Sequence, residues 1–122
     1  MHELPVTRSI LEIVLRHAAA NRVTAIRSVE LVIGGLSDLE AEWLQRYFDH
    51  LSRGTVAQGA RLQVRRSRLT FSCDACTTRF DVDRDELDSA RCPVCGSREA
   101  ALIAGTGYRV ESMEACAWAT SS

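Results

Sequence analysis

Along this chain the apolar positions alternate between a helical period and a period of two. Val6, Ile10, Ile13, Val14 and His17 recur at helical spacing, with Leu11 and Leu15 widening the stripe, so residues 5–21 are predicted to form an amphipathic helix. Pro5 suits its first turn and Asn21 its stop. Val29, Leu31 and Ile33 then alternate with Ser28, Glu30 and Val32, a strand ended by Gly34 and Gly35. Ser37-Asp38-Leu39-Glu40 matches a capping box and predicts a second helix from Asp38. Its apolar face would carry Trp43, Leu44, Tyr47, Phe48 and Leu51, with Gly54 at its end. Ala60, Leu62 and Val64 alternate with Arg61, Gln63 and Arg65, a second strand. After Gly105 and Gly107, Tyr108, Val110 and Ser112 alternate with Arg109, Glu111 and Met113, a last strand.

Between these patterns, residues 69–106 are polar and carry few large apolar side chains. A segment that short does not bury enough core to outweigh its chain entropy, so it needs a staple. Four cysteines provide one. Cys73 and Cys76 form one C-x2-C pair, Cys92 and Cys95 another, and fifteen residues separate the pairs. That spacing predicts a tetrahedral zinc site, closed by four thiolates, that holds structure and leaves no position for water or substrate. A redox dithiol or an iron centre is the alternative, but no βαβ context for a redox motif is visible. The expected fold class is α+β: a small mixed sheet with two helices, plus an inserted zinc-ribbon-like module. The expected domains are 1–68 with 107–118, and 69–106 as the insertion. The last strand has the apolar content of the first part, which predicts its return to the first sheet.

Composition narrows the function classes. The 122 residues carry a formal net charge of -1 and are 46% hydrophobic. Near-neutral charge gives no global footprint for nucleic acid or an anionic membrane. The first residues lack the basic and apolar regions of a signal peptide, and no apolar run approaches a membrane span. A cytoplasmic, reducing location is expected, which favours metal over disulfides and leaves Cys116 over as a fifth cysteine.

Met1-His2-Glu3 can chelate a metal if the terminus is bare. The α-amine, the His2 backbone nitrogen and the His2 imidazole close fused rings, and Glu3 can add a backbone nitrogen or a carboxylate. Nitrogen ligation in a plane suits Ni(II) or Cu(II) better than zinc. The plainer reading is a solvated chain end. Glu40 is either the last member of the capping box or a carboxylate close to a metal at the terminus. His17 reads as a hydrogen-bonded core residue, and His50 as a partner of the helix dipole. Arg61, Arg65, Arg66 and Arg68 form a basic run that is either a solvated face or a surface for an acidic partner or nucleic acid. No Ser/His/Asp set, phosphate loop or paired-carboxylate signature is present, so an enzyme is not expected.

Together these pieces resemble a known family, the HypA/HybF nickel metallochaperones. The resemblance is carried by Met1-His2-Glu3, the strand ending Ile33-Gly34-Gly35, the Gly59-Ala60-Arg61-Leu62 strand entry and the two CxxC pairs, the second reading Cys92-Pro93-Val94-Cys95-Gly96-Ser97. It runs from Met1 to about Met113. It implies a two-domain protein that delivers nickel to the [NiFe] hydrogenase large subunit during maturation, with a HypB-type GTPase as partner. It implies Ni(II) as cargo, bound by Met1, His2 and Glu3 with Glu40 nearby, and structural Zn(II) on Cys73, Cys76, Cys92 and Cys95. A homodimer is admitted; nucleic acid and membrane are not expected as partners. Many relatives place a histidine beside the CxxC pairs, whereas this chain has none between Cys73 and Gly107. The competing class is a zinc-ribbon module that binds nucleic acid through the Arg61–Arg68 run, or a scaffold whose N-terminus is incidental.

Overall fold

The computed structural model describes residues 3–117, so Met1 and His2 lie outside the described residues. The elements run α1 (Glu3–Ala20), β1 (Val23–Ile33), α2 (Ala41–Leu51), β2 (Arg61–Arg66), β3 (Leu69–Cys73), β4 (Arg79–Val82), a short 3-10 helix (Arg84–Ser89), β5 (Ala100–Ala104) and β6 (Tyr108–Ala117). Two three-stranded sheets result, ordered β2-β1-β6 and β4-β3-β5. This is an α+β fold, and β6 shares a sheet with β1 and β2. No described helix is long and apolar enough to cross a membrane.

The chain divides into two compact units. The first takes the chain up to Val32, Asp38–Arg65 and the stretch from Arg109. Its helix α1 buries Val6, Thr7, Ile10, Leu11, Val14 and Ala18, a stripe repeating at three and four residues. His17 is exposed, contrary to the core position read from the sequence. The stripe passes from Val14 to Ala18 and leaves His17 to one side of it. Helix α2 packs against α1 and buries Leu44 and Phe48 completely. Gln45 ties α2 to β2: its Oε1 accepts the Leu62 N–H at 2.7 Å and its Nε2 donates to the Ala60 carbonyl at 3.1 Å.

Helix α2 does not begin at Asp38. It begins at Ala41, with Glu40 as the N-cap residue in an extended conformation (φ -108, ψ 128) and no cap hydrogen bond from its side chain. A different local signal fixes this start. Leu39 and Leu44 occupy the N′ and N4 positions of a hydrophobic staple, and both are fully buried. Of the apolar face read from the sequence, Trp43 is 44% exposed. Its ring is tilted 31° to that of Tyr47, with centroids 5.9 Å apart, and lies under the Arg46 guanidinium.

The second unit takes Ile33–Ser37 and Arg66–Tyr108. Its sheet is antiparallel, with Leu69 facing Val82, Phe71 facing Phe80 and Cys73 facing Ala100. Phe71 and Phe80 stack at 5.9 Å. The sequence reading did not separate Ile33–Ser37 from the first part of the chain. Backbone pairing draws these residues in: the Gly34 N–H donates to Gly107 (2.8 Å) and the Leu36 N–H to Gly105 (2.9 Å). The approach needs glycine, because a Cβ on Gly34 would lie 2.6 Å from the Thr106 carbonyl carbon. Strand β5, Ala-Ala-Leu-Ile-Ala, went unassigned from sequence because its neighbourhood reads as polar.

Candidate metal centre

The two cysteine pairs fold into two loops of the same design. In the first, the Cys73 N–H donates to the Thr78 carbonyl and the Thr77 N–H to the Cys73 carbonyl, both at 2.9 Å. In the second, the Cys92 N–H donates to the Ser97 carbonyl and the Gly96 N–H to the Cys92 carbonyl, again at 2.9 Å. Each loop closes through a left-handed residue placed one after its second cysteine, Thr77 at φ 63 and Gly96 at φ 76. Strand β3 delivers Cys73, while its neighbour β5 follows from the second loop.

This folding brings all four sulfurs to within 4.8 Å of one another. Two contacts run between the loops: Cys73 Sγ to Cys95 Sγ and Cys76 Sγ to Cys92 Sγ, each 3.5 Å. A tetrahedral ion with metal–sulfur bonds of ~2.3 Å needs sulfurs about 3.8 Å apart. The cluster therefore fits a metal ion, and the all-thiolate donor set is of the kind zinc takes. Cys73 and Cys92 are buried, Cys76 is half-buried and Cys95 is exposed.

The four thiols are not electrostatically alike. The Thr78 hydroxyl, 3.2 Å from Cys76 Sγ, stabilises a thiolate there; with the Thr78 backbone N–H and Cys92 it lowers the Cys76 thiol to about 6. The Ser97 backbone N–H favours a Cys95 thiolate as well. The neighbouring sulfurs, Cys73 foremost, and desolvation outweigh it and push the Cys95 thiol up to about 12. The physical cause is mutual: one thiolate in the cluster discourages the next. Without a cation the set is not fully deprotonated near neutral pH, so metal binding must release protons. The turn after Cys95 thus aims a backbone N–H, that of Ser97, at its sulfur.

The N-terminal candidates meet at another place. Glu3 opens α1, and its Oε2 accepts a hydrogen bond from the Glu40 backbone N–H at 3.1 Å. The pair joins the first turns of α1 and α2 across 37 positions of sequence. Met1 and His2, read as nickel ligands, lie outside the described residues. The resemblance puts Glu40 near the terminal residues; the hydrogen bond from its backbone N–H to Glu3 is what no local pattern announces.

The basic run is largely spent on structure. Arg65 donates to both carboxylate oxygens of Glu111 at 3.0 and 3.1 Å. Arg66 donates to the Ser37 carbonyl at 2.9 Å, and Arg68 pairs with Asp83 at 2.8 Å.

Comparison with known proteins then assigns a lineage to this arrangement. The HypA family model, described as hydrogenase/urease nickel incorporation, metallochaperone, matches residues 1–115. The hydrogenase maturation factor HypA of Geobacter sp. (strain M21) is 37% identical over 114 residues, covering 93% of this chain and 98% of that protein. The factor of the same name from Caldanaerobacter subterraneus subsp. tengcongensis is 34% identical over 115 residues, with the same coverages. Among solved structures, a HypA protein in solution aligns with a TM-score of 0.72 at 25% identity, over 97% of this chain and 98% of that one. The Ni metallochaperone HypA from Helicobacter pylori shares the fold with a TM-score of 0.69 at 24% identity, over 97% of this chain and 100% of that one.

Proposed function

The chain belongs to the HypA family of nickel metallochaperones, and from that premise we propose that it carries Ni(II) on its N-terminus to the [NiFe] hydrogenase large subunit. As a metallochaperone it is a non-enzymatic maturation factor: it binds and releases an ion and turns nothing over. The ligands are the Met1 amine, the backbone nitrogen and imidazole of His2, and Glu3, with Glu40 beside them. A HypB-type GTPase is the partner in delivery. Zn(II), held by Cys73, Cys76, Cys92 and Cys95, supplies the stability that the module of residues 69–106 lacks on its own.

The observation that carries the nickel reading is the meeting of Glu3 with Glu40 at 3.1 Å. The contact holds the side chain of the residue that follows His2 against the start of a second helix. A cation held by the preceding residues would be favoured by the negative charge of Glu3. An α-amine has a pKa of ~7.7–8.0, so chelation there displaces a proton and nickel binding strengthens as pH rises through that range. Nitrogen ligands of this kind would suit Ni(II), and the receiving protein would take the ion by offering competing ligands.

Metal titration of protein with a native, untagged Met1 tests the reading, followed by calorimetry and electronic absorption. One firmly held zinc is expected, together with one nickel that is lost in His2→Ala and when one residue is added before Met1. Nickel binding that survives both changes would place the cargo elsewhere and end this reading.

A further inference from the structure

In the cysteine cluster each sulfur of one loop lies against a sulfur of the other, Cys73 Sγ against Cys95 Sγ and Cys76 Sγ against Cys92 Sγ, both at 3.5 Å. Resting on the zinc assignment, we infer that the cluster is also a site of reversible oxidation. A peroxide exchanges the ion for two disulfides across the loops, Cys73–Cys95 and Cys76–Cys92, and the module stays folded without metal.

Thiolates rather than thiols attack peroxide, and coordination keeps all four cysteines as thiolates. Access then sorts them. Cys73 and Cys92 are buried, and Cys76 is half-buried with the Thr78 hydroxyl 3.2 Å from its sulfur. Cys95 alone of the four is exposed, and Val94 beside it is 70% exposed. Peroxide therefore meets Cys95 first. The Cys95 thiolate attacks one peroxide oxygen: an S–O bond forms, the O–O bond breaks, hydroxide leaves and Cys95 becomes a sulfenic acid. Cys73, at 3.5 Å, attacks that sulfur in turn. The S–S bond forms, the S–O bond breaks and a second hydroxide leaves. Cys76 and Cys92 then remain as half of a site that needs four ligands, and a second peroxide joins them by the same two steps. In sum, four thiolates give up four electrons, two peroxides take them up and become four hydroxides, and the divalent ion is freed.

The pairing decides what becomes of the fold. A Cys73–Cys76 or Cys92–Cys95 bond would close a single turn and tie the loops to nothing. The cross-loop bonds span 22 and 16 positions of sequence, and a disulfide restricts the unfolded chain more as the loop it closes lengthens. Strand β3 ends on Cys73, so the Cys73–Cys95 bond fastens the second loop to the sheet. The loops already share a backbone contact there, in which the Asp74 N–H donates to the Glu99 carbonyl at 3.0 Å. Two disulfides thus take over the staple that the ion supplies.

The test uses Cys116→Ser protein, which lacks the one thiol outside the cluster, loaded with zinc and titrated with hydrogen peroxide. The readouts are zinc release to a colorimetric chelator, dimedone trapping of sulfenic acid, disulfide mapping by mass spectrometry without reduction, and amide exchange at Phe71 and Ser72. Two peroxides consumed per zinc freed are expected, with dimedone on Cys95 and the bonds Cys73–Cys95 and Cys76–Cys92. The β3 amides should stay protected in the oxidised protein and lose protection when a chelator strips zinc from the reduced one. A dithiol reductant with added zinc should restore the starting state. Bonds within the Cys73–Cys76 and Cys92–Cys95 pairs, zinc retained through the titration, or β3 amides as exposed as in the stripped protein would each overturn the inference. A protein that takes up no zinc fails the zinc assignment instead, and the disulfide map still decides the pairing.

Discussion

Thr77 holds φ 63 and Gly96 holds φ 76 at equivalent places in the two cysteine loops. Glycine adopts that conformation without penalty, while a β-branched residue is strained by it, at ~1–2 kcal/mol. Thr77→Gly should therefore relieve strain, partly countered by the extra freedom of glycine in the unfolded chain, for a net gain of about 0.5 kcal/mol. Gly96→Thr should cost about 1–2 kcal/mol. Zinc affinity by chelator competition reads both, and opposite signs are the expected result. A second residue-scale prediction concerns Glu111, whose carboxyl is held below its ordinary value by hydrogen bonding from Arg65, and further by Arg109. Because the folded value is the lower one, this contribution is present above the ordinary glutamate range and is lost as pH falls through the folded value. Arg65→Ala should move the Glu111 titration upward in carboxyl NMR; an unmoved midpoint would mean that the fork is not formed in solution. At this scale the four cysteines were legible from spacing alone. Thr77 was not, since a β-branched residue gives no signal for a left-handed turn. Nor was the Glu3 contact, which joins residues far apart in sequence.

The elements divide between those set by local pattern and those set by distant partners. Helix α1, strand β2, β1 from Ser28 onward and β6 as far as Met113 follow the apolar period; β1 begins earlier, at Val23, and β6 continues to Ala117. The start of α2 was misread because Ser37-Asp38-Leu39-Glu40 fits a capping box by residue type. Leu39 is instead fully buried, and a buried leucine at N′ moves the cap to Glu40. Strand β5 is the converse case: little in Ala-Ala-Leu-Ile-Ala calls for a strand, and its pairing with β3 supplies what propensity does not. One element junction is unusually intolerant. The segment at Gly34 runs so close to Gly105–Thr106 that Gly34→Ala forces a backbone to move. The expected loss is about 2–3 kcal/mol or more in chemical denaturation, at the upper end of overpacking costs. An unchanged denaturation midpoint would show that the approach is looser than described.

For the whole molecule, the division into a nickel domain of 1–68 with 107–118 and an inserted zinc domain of 69–106 is a proposal with its own test. Removing zinc with a chelator should unfold the cysteine module while α1 and α2 survive. Amide exchange would then show protection lost at Phe71 and Ser72 of β3 and retained in α1 around Ile10. Simultaneous loss at both places would mean that the protein is one cooperative unit. The α+β class and the metal module were legible because composition and cysteine spacing are properties of long stretches. The crossing of Ile33–Ser37 into the second unit was not, because it depends on backbone hydrogen bonds to Gly105 and Gly107, whose partners the sequence does not announce.

That crossing has a consequence for biosynthesis. The chain passes between the units at Val32, Ser37, Arg65 and Tyr108, so each unit is assembled from stretches separated in sequence. The second unit needs both Ile33 and Tyr108, and the β2-β1-β6 sheet lacks an edge until β6 has emerged. The unit therefore cannot be completed before Tyr108 has left the ribosome, nor the sheet before β6 has. At ~5–20 residues per second, the cysteines wait seconds in an unclosed chain. Until the unit closes, the nascent thiols depend on the reducing power of their surroundings.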